Sequence, residues 1–154
     1  MDQRTVDRAA TGEARWWLGG LAVILAGAGH TGGALSVIEV TAPPGERTPL
    51  HVHHREDETF YVIEGSVTIE VGDARVELGP GGLAVGPRDV PHRYTAGPEG
   101  CRMLFICTPG GFEGFVRATS VPAPSRTLPP AAGEPDVEAL MVAAAAAGCE
   151  VLAP

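Results

Sequence analysis

Apolar and polar residues alternate with a period of two along much of this chain. Ser66 to Val71 is the cleanest stretch: Val67, Ile69 and Val71 fall on one face of an extended backbone. Gly72-Asp73 then predicts a hairpin turn into a strand over Ala74–Gly79. Upstream, Trp16–Ala26 and Ala34–Val40 predict two strands joined by a glycine-rich turn over Gly27–Gly33. Ala42–Leu50 reads as irregular, because Pro43, Pro44 and Pro49 have no place in a central ladder. Thr59–Gly65 predicts a strand, Gly79–His92 a turn, a short strand and a turn, and His92–Ala96 and Cys101–Pro109 the last strands. No helix is expected before residue 130. This run of short strands and turns predicts an all-β sandwich or barrel.

The end of the chain changes character. Ser120–Pro135 is a proline-rich linker with an extended bias. One short helix follows, with Asp136 as N-cap, Glu138 in the first turn and Gly148 as the stop. The expected organisation is a polar arm over 1–14, a β-barrel over 15–119, and the linker and C-terminal helix over 120–154. No internal repeat is visible.

Composition narrows the function classes. The chain has 154 residues, 21 of them glycine and 14 proline, which suits many turns. Its formal charge of -8 argues against a nucleic-acid partner, since phosphates reward clustered lysine and arginine. No lysine-rich stripe addresses a membrane surface. The apolar stretch WWLGGLAVILAGA is too short and too glycine-broken to span a bilayer, and the first residues lack the apolar core of a signal peptide. Cys101, Cys107 and Cys149 are odd in number and form no CxxC, which predicts reduced thiols and a cytoplasmic location.

Chemistry concentrates in HVHHREDETFYVIEG, from His51 to Gly65. His51 and His53 are two apart, so an extended backbone puts both imidazoles on one face. Glu58 follows after a polar HRED segment and shares parity with Phe60 and Val62. His92 opens the later strand behind Pro91. If that strand lies beside the first, three neutral imidazoles and one carboxylate meet. That set suits one divalent transition ion: Fe, Mn, Ni, Co, Cu or Zn. With the ion bound, about one net positive charge remains, which favours an anionic or enolisable small-molecule substrate. His54 is expected to point outward. Glu56 is a rival ligand by type, but is expected to be a solvated acid or an acceptor behind the ligands. Tyr94 shares the parity of His92 and offers a phenolic donor to the pocket. Arg47 and His30 are expected at the surface, and Phe112–Phe115 either as a lid or as packed tail.

These residues carry a family resemblance. Gly45, His51, His53, Glu58 and Gly65 match the first motif of the cupin superfamily at every position, and Gly81, Pro87 and His92 match the second at its Gly, Pro and His. Fifteen residues separate Gly65 from Gly81, as in compact single-domain cupins. Asp89 stands where the motif usually has Gly, and Ala96 where Asn is common. With its flanks, the chain resembles single-domain cupins of the quercetin 2,3-dioxygenase-like type. The resemblance implies a double-stranded β-helix, or jelly-roll, barrel with a short C-terminal helix. It also implies a metal held by His51, His53, Glu58 and His92, and a homodimer.

Three functions are compatible with that picture. The leading one is a metal-dependent dioxygenase acting on a small enolisable or phenolic substrate, flavonol-like or diketone-like, with Glu58 and Tyr94 as its catalytic groups. The others are a non-redox cyclase, isomerase or lyase using the metal as Lewis acid, and a non-catalytic small-molecule binder. Because ligation needs neutral imidazoles, metal occupancy is expected to fall as pH drops through about 6.

Overall fold

The computed structural model describes residues 12–131 and 134–154. Its elements run β1 (Glu13–Trp17), β2 (Gly20–Ala26), α1 (Ala28–Thr31), β3 (Ser36–Ala42), β4 (Leu50–His53), β5 (Asp57–Val71), β6 (Ala74–Leu78), β7 (Leu83–Gly86), β8 (His92–Thr108), α2 (Glu113–Ala118), β9 (Ser120–Pro122), α3 (Val137–Ala146) and β10 (Cys149–Ala153). The chain is an antiparallel β-barrel decorated by short helices, the jelly-roll class expected from the sequence.

β5 and β8 are the spine of the barrel. They pair antiparallel from Asp57↔Thr108 to Val71↔His92, with register shifts around Val62–Val67. The shifts let both strands bend, so their halves serve different parts of the barrel. The first half of β5 pairs with β7 and the second with β6, while β8 pairs with β3 through one half and with β4 through its start at His92. Beyond β3 the ladder continues through β2 and β1 to β9, and β4 continues to β10. Alternation along the strands fills the interior with Ile38, Phe60, Val62, Val67, Ile69, Met103 and Phe105, all nearly inaccessible to solvent.

Several sequence expectations change. The single strand expected over Trp16–Ala26 is a hairpin, β1–β2, whose two-residue turn is Leu18-Gly19 with φ of +50° and +83°. Positive φ at both positions matches the twist of the flanking strands, a geometry that favours Asn-Gly, so Leu18 disguised the turn as strand. A leucine held there costs about 1–2 kcal/mol. The turn expected over Gly27–Gly33 contains α1, and residues 113–118 form α2, so helix does occur before residue 130. β9, at the start of the expected linker, adds to β1. The strands expected over Thr59–Gly65 and Ser66–Val71 are one continuous β5, and the last two are one continuous β8. Of the polar arm expected over 1–14, residues 1–11 lie outside the described residues, and Glu13 and Ala14 already belong to β1.

The C-terminal helix forms as its caps dictate. The Asp136 side chain accepts from the Ala139 amide at 3.0 Å, and Gly148 follows the helix with φ of +72°. That reversal turns the chain into β10, which lies along β4. Among the described residues no helix is long and apolar enough to cross a membrane.

Gly65 marks a tight corner of the spine. Its φ is +74°, and a Cβ there would collide with the Gly100 carbonyl oxygen. Gly45 has nearly the same positive φ, +73°, but open space around it. Gly65→Ala should therefore lower the unfolding free energy by more than about 2 kcal/mol, adding a clash to left-handed strain. Gly45→Ala should cost clearly less. Equal shifts of the urea midpoint for the two variants would contradict this account of the corner.

Candidate metal centre

The end of β4, the start of β5 and the start of β8 meet at one side of the barrel. His51 and His92 are direct cross-strand partners in the β4–β8 pair. His53 lies two residues along β4 and returns its imidazole to the same face. Glu58 sits opposite Gly86 in the β5–β7 pair, and a Cβ at residue 86 would press within 3.3 Å of His92 Nδ1. A glycine there leaves the His92 ring its room.

One donor atom from each of His51, His53, Glu58 and His92 lies within 4.8 Å of every other. The three imidazole centroids are 4.6–5.1 Å apart. Each ring is oriented from behind through Nδ1. His51 Nδ1 lies 2.7 Å from the Pro49 carbonyl, His53 Nδ1 2.7 Å from Glu56 Oε1, and His92 Nδ1 3.2 Å from the Val90 carbonyl. Donation from Nδ1 to these acceptors leaves Nε2 as the lone-pair nitrogen, the tautomer a metal requires. Glu56 is thus an acceptor behind a ligand, and it is buried rather than solvated.

Two observations test whether a cation fits. His53 Nε2 is buried and makes no hydrogen bond, although Glu58 Oε2 lies 3.2 Å away without the alignment one needs. His92 Nε2 lies 2.9 Å from the same Glu58 oxygen. Donor atoms that face each other in a buried site, with one nitrogen unsatisfied, are what a divalent ion would bridge. The donor set of three nitrogens and one carboxylate fits a divalent transition metal.

Without metal, the charges arrange themselves differently. Burial pushes His53 down, but the Glu58 and Glu56 carboxylates on either side outweigh it and raise its pKa to about 10. Burial, assisted by His92, lowers His51 to about 4. Glu58 is buried, yet His53 and His92 hold its carboxyl well below the ordinary range. The metal-free centre is therefore an ion pair of protonated His53 with Glu58 and Glu56, beside a neutral His51.

The remaining candidates fall on either side of this centre. Tyr94 is buried, and its ring meets Phe105 edge-on. Burial raises its phenol well above the usual value, so it stays protonated. His54 points outward, bridging Asp89 at 2.6 Å and Glu150 of β10 at 3.1 Å. Asp89 adopts φ of +65°, the left-handed conformation for which the motif usually uses glycine. Arg47 and His30 are exposed. Phe112 and Phe115 are buried against Trp17, and Glu113 accepts from the Ala28 and Gly111 amides, so this segment is packed wall rather than lid.

The centre opens onto a cavity of about 80 Å³ whose walls are largely aromatic and aliphatic. Part of that wall escaped the sequence reading. Leu140 and Ala144 of α3 and Cys149 and Val151 of β10 line it, with Cys149 paired to His53 and Val151 to His51. The alternation of Cys149, Val151 and Ala153 with Glu150 and Leu152 was the available signal for β10. Burial pushes the Cys149 thiol up to about 12, so it stays neutral beside the ligands.

Comparison with known proteins agrees with this geometry. Residues 38–107 match the cupin domain family. The chain is 30% identical over 106 residues to quercetin 2,3-dioxygenase of Bacillus subtilis (strain 168), covering 69% of this chain and 32% of that protein. The chain thus spans about a third of that relative's length. Among solved structures, oxalate decarboxylase of Bacillus subtilis superposes with TM-score 0.59 at 25% identity, covering 67% of this chain and 28% of that one. KdgF from Halomonas sp. superposes with TM-score 0.56 at 23% identity, covering 62% and 83% respectively, and supports the fold alone.

The pH expectation moves with these charges. His53 has a folded pKa above the ordinary value of about 6.5, so its proton persists until pH approaches 10. Metal must displace that proton throughout the neutral range, and affinity should keep rising with pH well above 6. Calorimetric titration of a divalent metal into metal-free protein at pH 7.5, in buffers of different ionisation enthalpy, should report release of about one proton per site. Release of none would contradict the ion-pair description.

Proposed function

The chain belongs to the cupin superfamily, and from that premise we propose that it is a metal-dependent dioxygenase acting on a small enolisable or phenolic substrate. The observation that carries the reading is the convergence of His51, His53, Glu58 and His92 at the base of an apolar cavity. The likeness to a quercetin 2,3-dioxygenase supports the reaction class. A divalent ion held by these four residues would supply Lewis acidity toward a substrate oxygen and, if redox-active, electron exchange with dioxygen.

The protein's own groups do the rest. Glu58 is the group placed to take the substrate's acidic proton on a carboxylate oxygen. Its low proton affinity in the metal-free site comes first from the positive charge on His53, set against burial that pushes it upward. Once His53 is neutral, His92 and the charge of a bound cation keep that restraint in place, so Glu58 stays ionised and able to accept a proton. Tyr94, held protonated by burial, donates a hydrogen bond to the bound substrate oxygen and fixes its orientation. Phe60, Phe105 and Trp17 exclude water from the reacting atoms.

The homodimer implied by the family resemblance finds support on the opposite face of the sheet. There Tyr61, Leu83 and Val85 of the β5–β7 pair stand exposed in adjacent rows.

Oxygen-electrode assays of Fe(II)-loaded protein with a panel of flavonols and 1,3-diketones should show uptake of one O₂ per substrate consumed. Exclusion of oxygen should stop turnover. Undiminished turnover without oxygen would reassign the protein to Lewis-acid chemistry, as a cyclase, isomerase or lyase. In the same assay Glu58→Gln should lower kcat by about 10²-fold or more, well beyond its loss of metal. Parallel losses would make Glu58 a ligand only.

A further inference from the structure

The metal centre needs more room than its chamber gives. At about 80 Å³ the chamber is roughly half the size of an apolar cavity that holds benzene. A ring-sized substrate cannot sit beside the metal until a wall yields. Just outside, between β1, β9 and α3, runs a groove of about 690 Å³, and Leu140 of α3 lines both spaces. A shift of α3 would join them.

Most of the wall is fixed. Trp17, Phe60, Phe105 and Phe112 are at most 7% exposed, and each meets another of the four edge-on. The Thr48–Pro49 stretch is tied to β8. The Thr48 hydroxyl accepts from the Tyr94 amide at 3.0 Å, and the Thr48 amide donates to the Tyr94 carbonyl at 3.1 Å. β10 is held by its ladder on β4 and by the contact of Glu150 with His54.

α3 is attached differently. Of its ten residues only Ala144 is buried, with Leu140 half-buried one turn earlier. Among the described residues, no hydrogen bond or ion pair joins α3 to the barrel, and its Asp136 cap bonds only to the helix itself. A narrow apolar strip, Leu140, Ala143, Ala144 and Ala147, is what packs on the core. An element tied this weakly opens at a free energy well below that of global unfolding. A helix of this length is also marginal in water once it loses its packing. Gly148, with φ of +72°, ends α3 where the fixed strand β10 begins, which makes it the natural pivot.

We propose that α3 is a lid hinged at Gly148. Substrate enters by lifting Leu140 and Ala144 out of the wall, which joins chamber and groove into one binding space while β10 stays on β4. This inference rests on the metal-dependent reading above. Leu140 is the latch of the lid and takes no part in the chemistry.

The test uses full-length protein loaded with Co(II), and the probe is 4-nitrocatechol, a phenol whose visible spectrum changes when its oxygens bind a metal. Hydrogen exchange read by mass spectrometry compares the protein with and without probe. Binding should speed exchange over Val137–Ala146 at least fivefold, because the lifted helix loses its packing, and should not speed exchange in β5 or β8. In stopped-flow mixing, Leu140→Ala, which preserves helix propensity, should raise the association rate of the probe at least fivefold. Val142→Ala, on the outward face of the same helix and 67% exposed in the native residue, should leave that rate unchanged. Probe binding that slows exchange over α3 or leaves it unaltered would overturn the lid, as would a native association rate in Leu140→Ala or an equal acceleration in both variants. A cobalt-loaded protein that leaves the spectrum of the probe unchanged would overturn the metal-dependent reading itself, and the lid with it; a probe that binds while α3 stays protected overturns the lid alone.

Discussion

A buried carboxylate among imidazoles is the constraint on which the rest of the structure depends. Glu58 is 2% exposed inside an otherwise apolar barrel, so its charge must be answered by groups placed within a few ångströms. The answer comes from three strands. β4 brings His51 and His53, β8 brings His92 into register beside His51, and each ring is held through Nδ1 by an acceptor behind it. The bend of the β5–β8 spine at Gly65 brings Glu58 and His92, at different points along paired strands, to the same end of the barrel. Backbone geometry, charge compensation and the proposed chemistry are therefore one problem with one solution.

That solution is bistable in charge. Two carboxylates and a proton on His53 leave one negative charge at the centre without metal, and a divalent ion in place of the proton cancels it. Glu56 matters in both forms, as partner to a protonated His53 and as the group that fixes its tautomer when neutral. His54 and its two acids lie outside this exchange. They tie β10 and the Asp89 turn to the outer side of the ligand strand.

Much of the centre was legible in the sequence because its logic is local. The two-residue spacing of His51 and His53 follows from strand pleating, and the parity of Glu58 with Phe60 and Val62 placed it inward. The cap residues of α3 were equally plain, since Asp136 and Gly148 act within a few residues. What stayed hidden depended on contacts far apart along the chain. Leu18 read as strand because its hydrophobicity masks a turn whose φ only the fold enforces. Glu56 looked solvated until the short turn after His53 folded its carboxylate back onto Nδ1. Cys149 and Val151 show alternation too brief to stand out after an alanine-rich helix, yet β10 walls the centre. The cavity's small volume is set jointly by α2, α3, β10 and the β1–β2 turn, which no single stretch of sequence specifies.

The central claim is that these four side chains hold one divalent ion. X-ray absorption spectroscopy of protein loaded with one equivalent of Co(II) or Zn(II) and then freed of excess metal addresses it directly. The account predicts one ion per chain, three imidazole nitrogens at about 2.0–2.1 Å with oxygen completing the shell, and no sulfur despite the nearby thiol of Cys149. Fewer than three imidazoles, a sulfur ligand, or loss of the ion on gel filtration would contradict it.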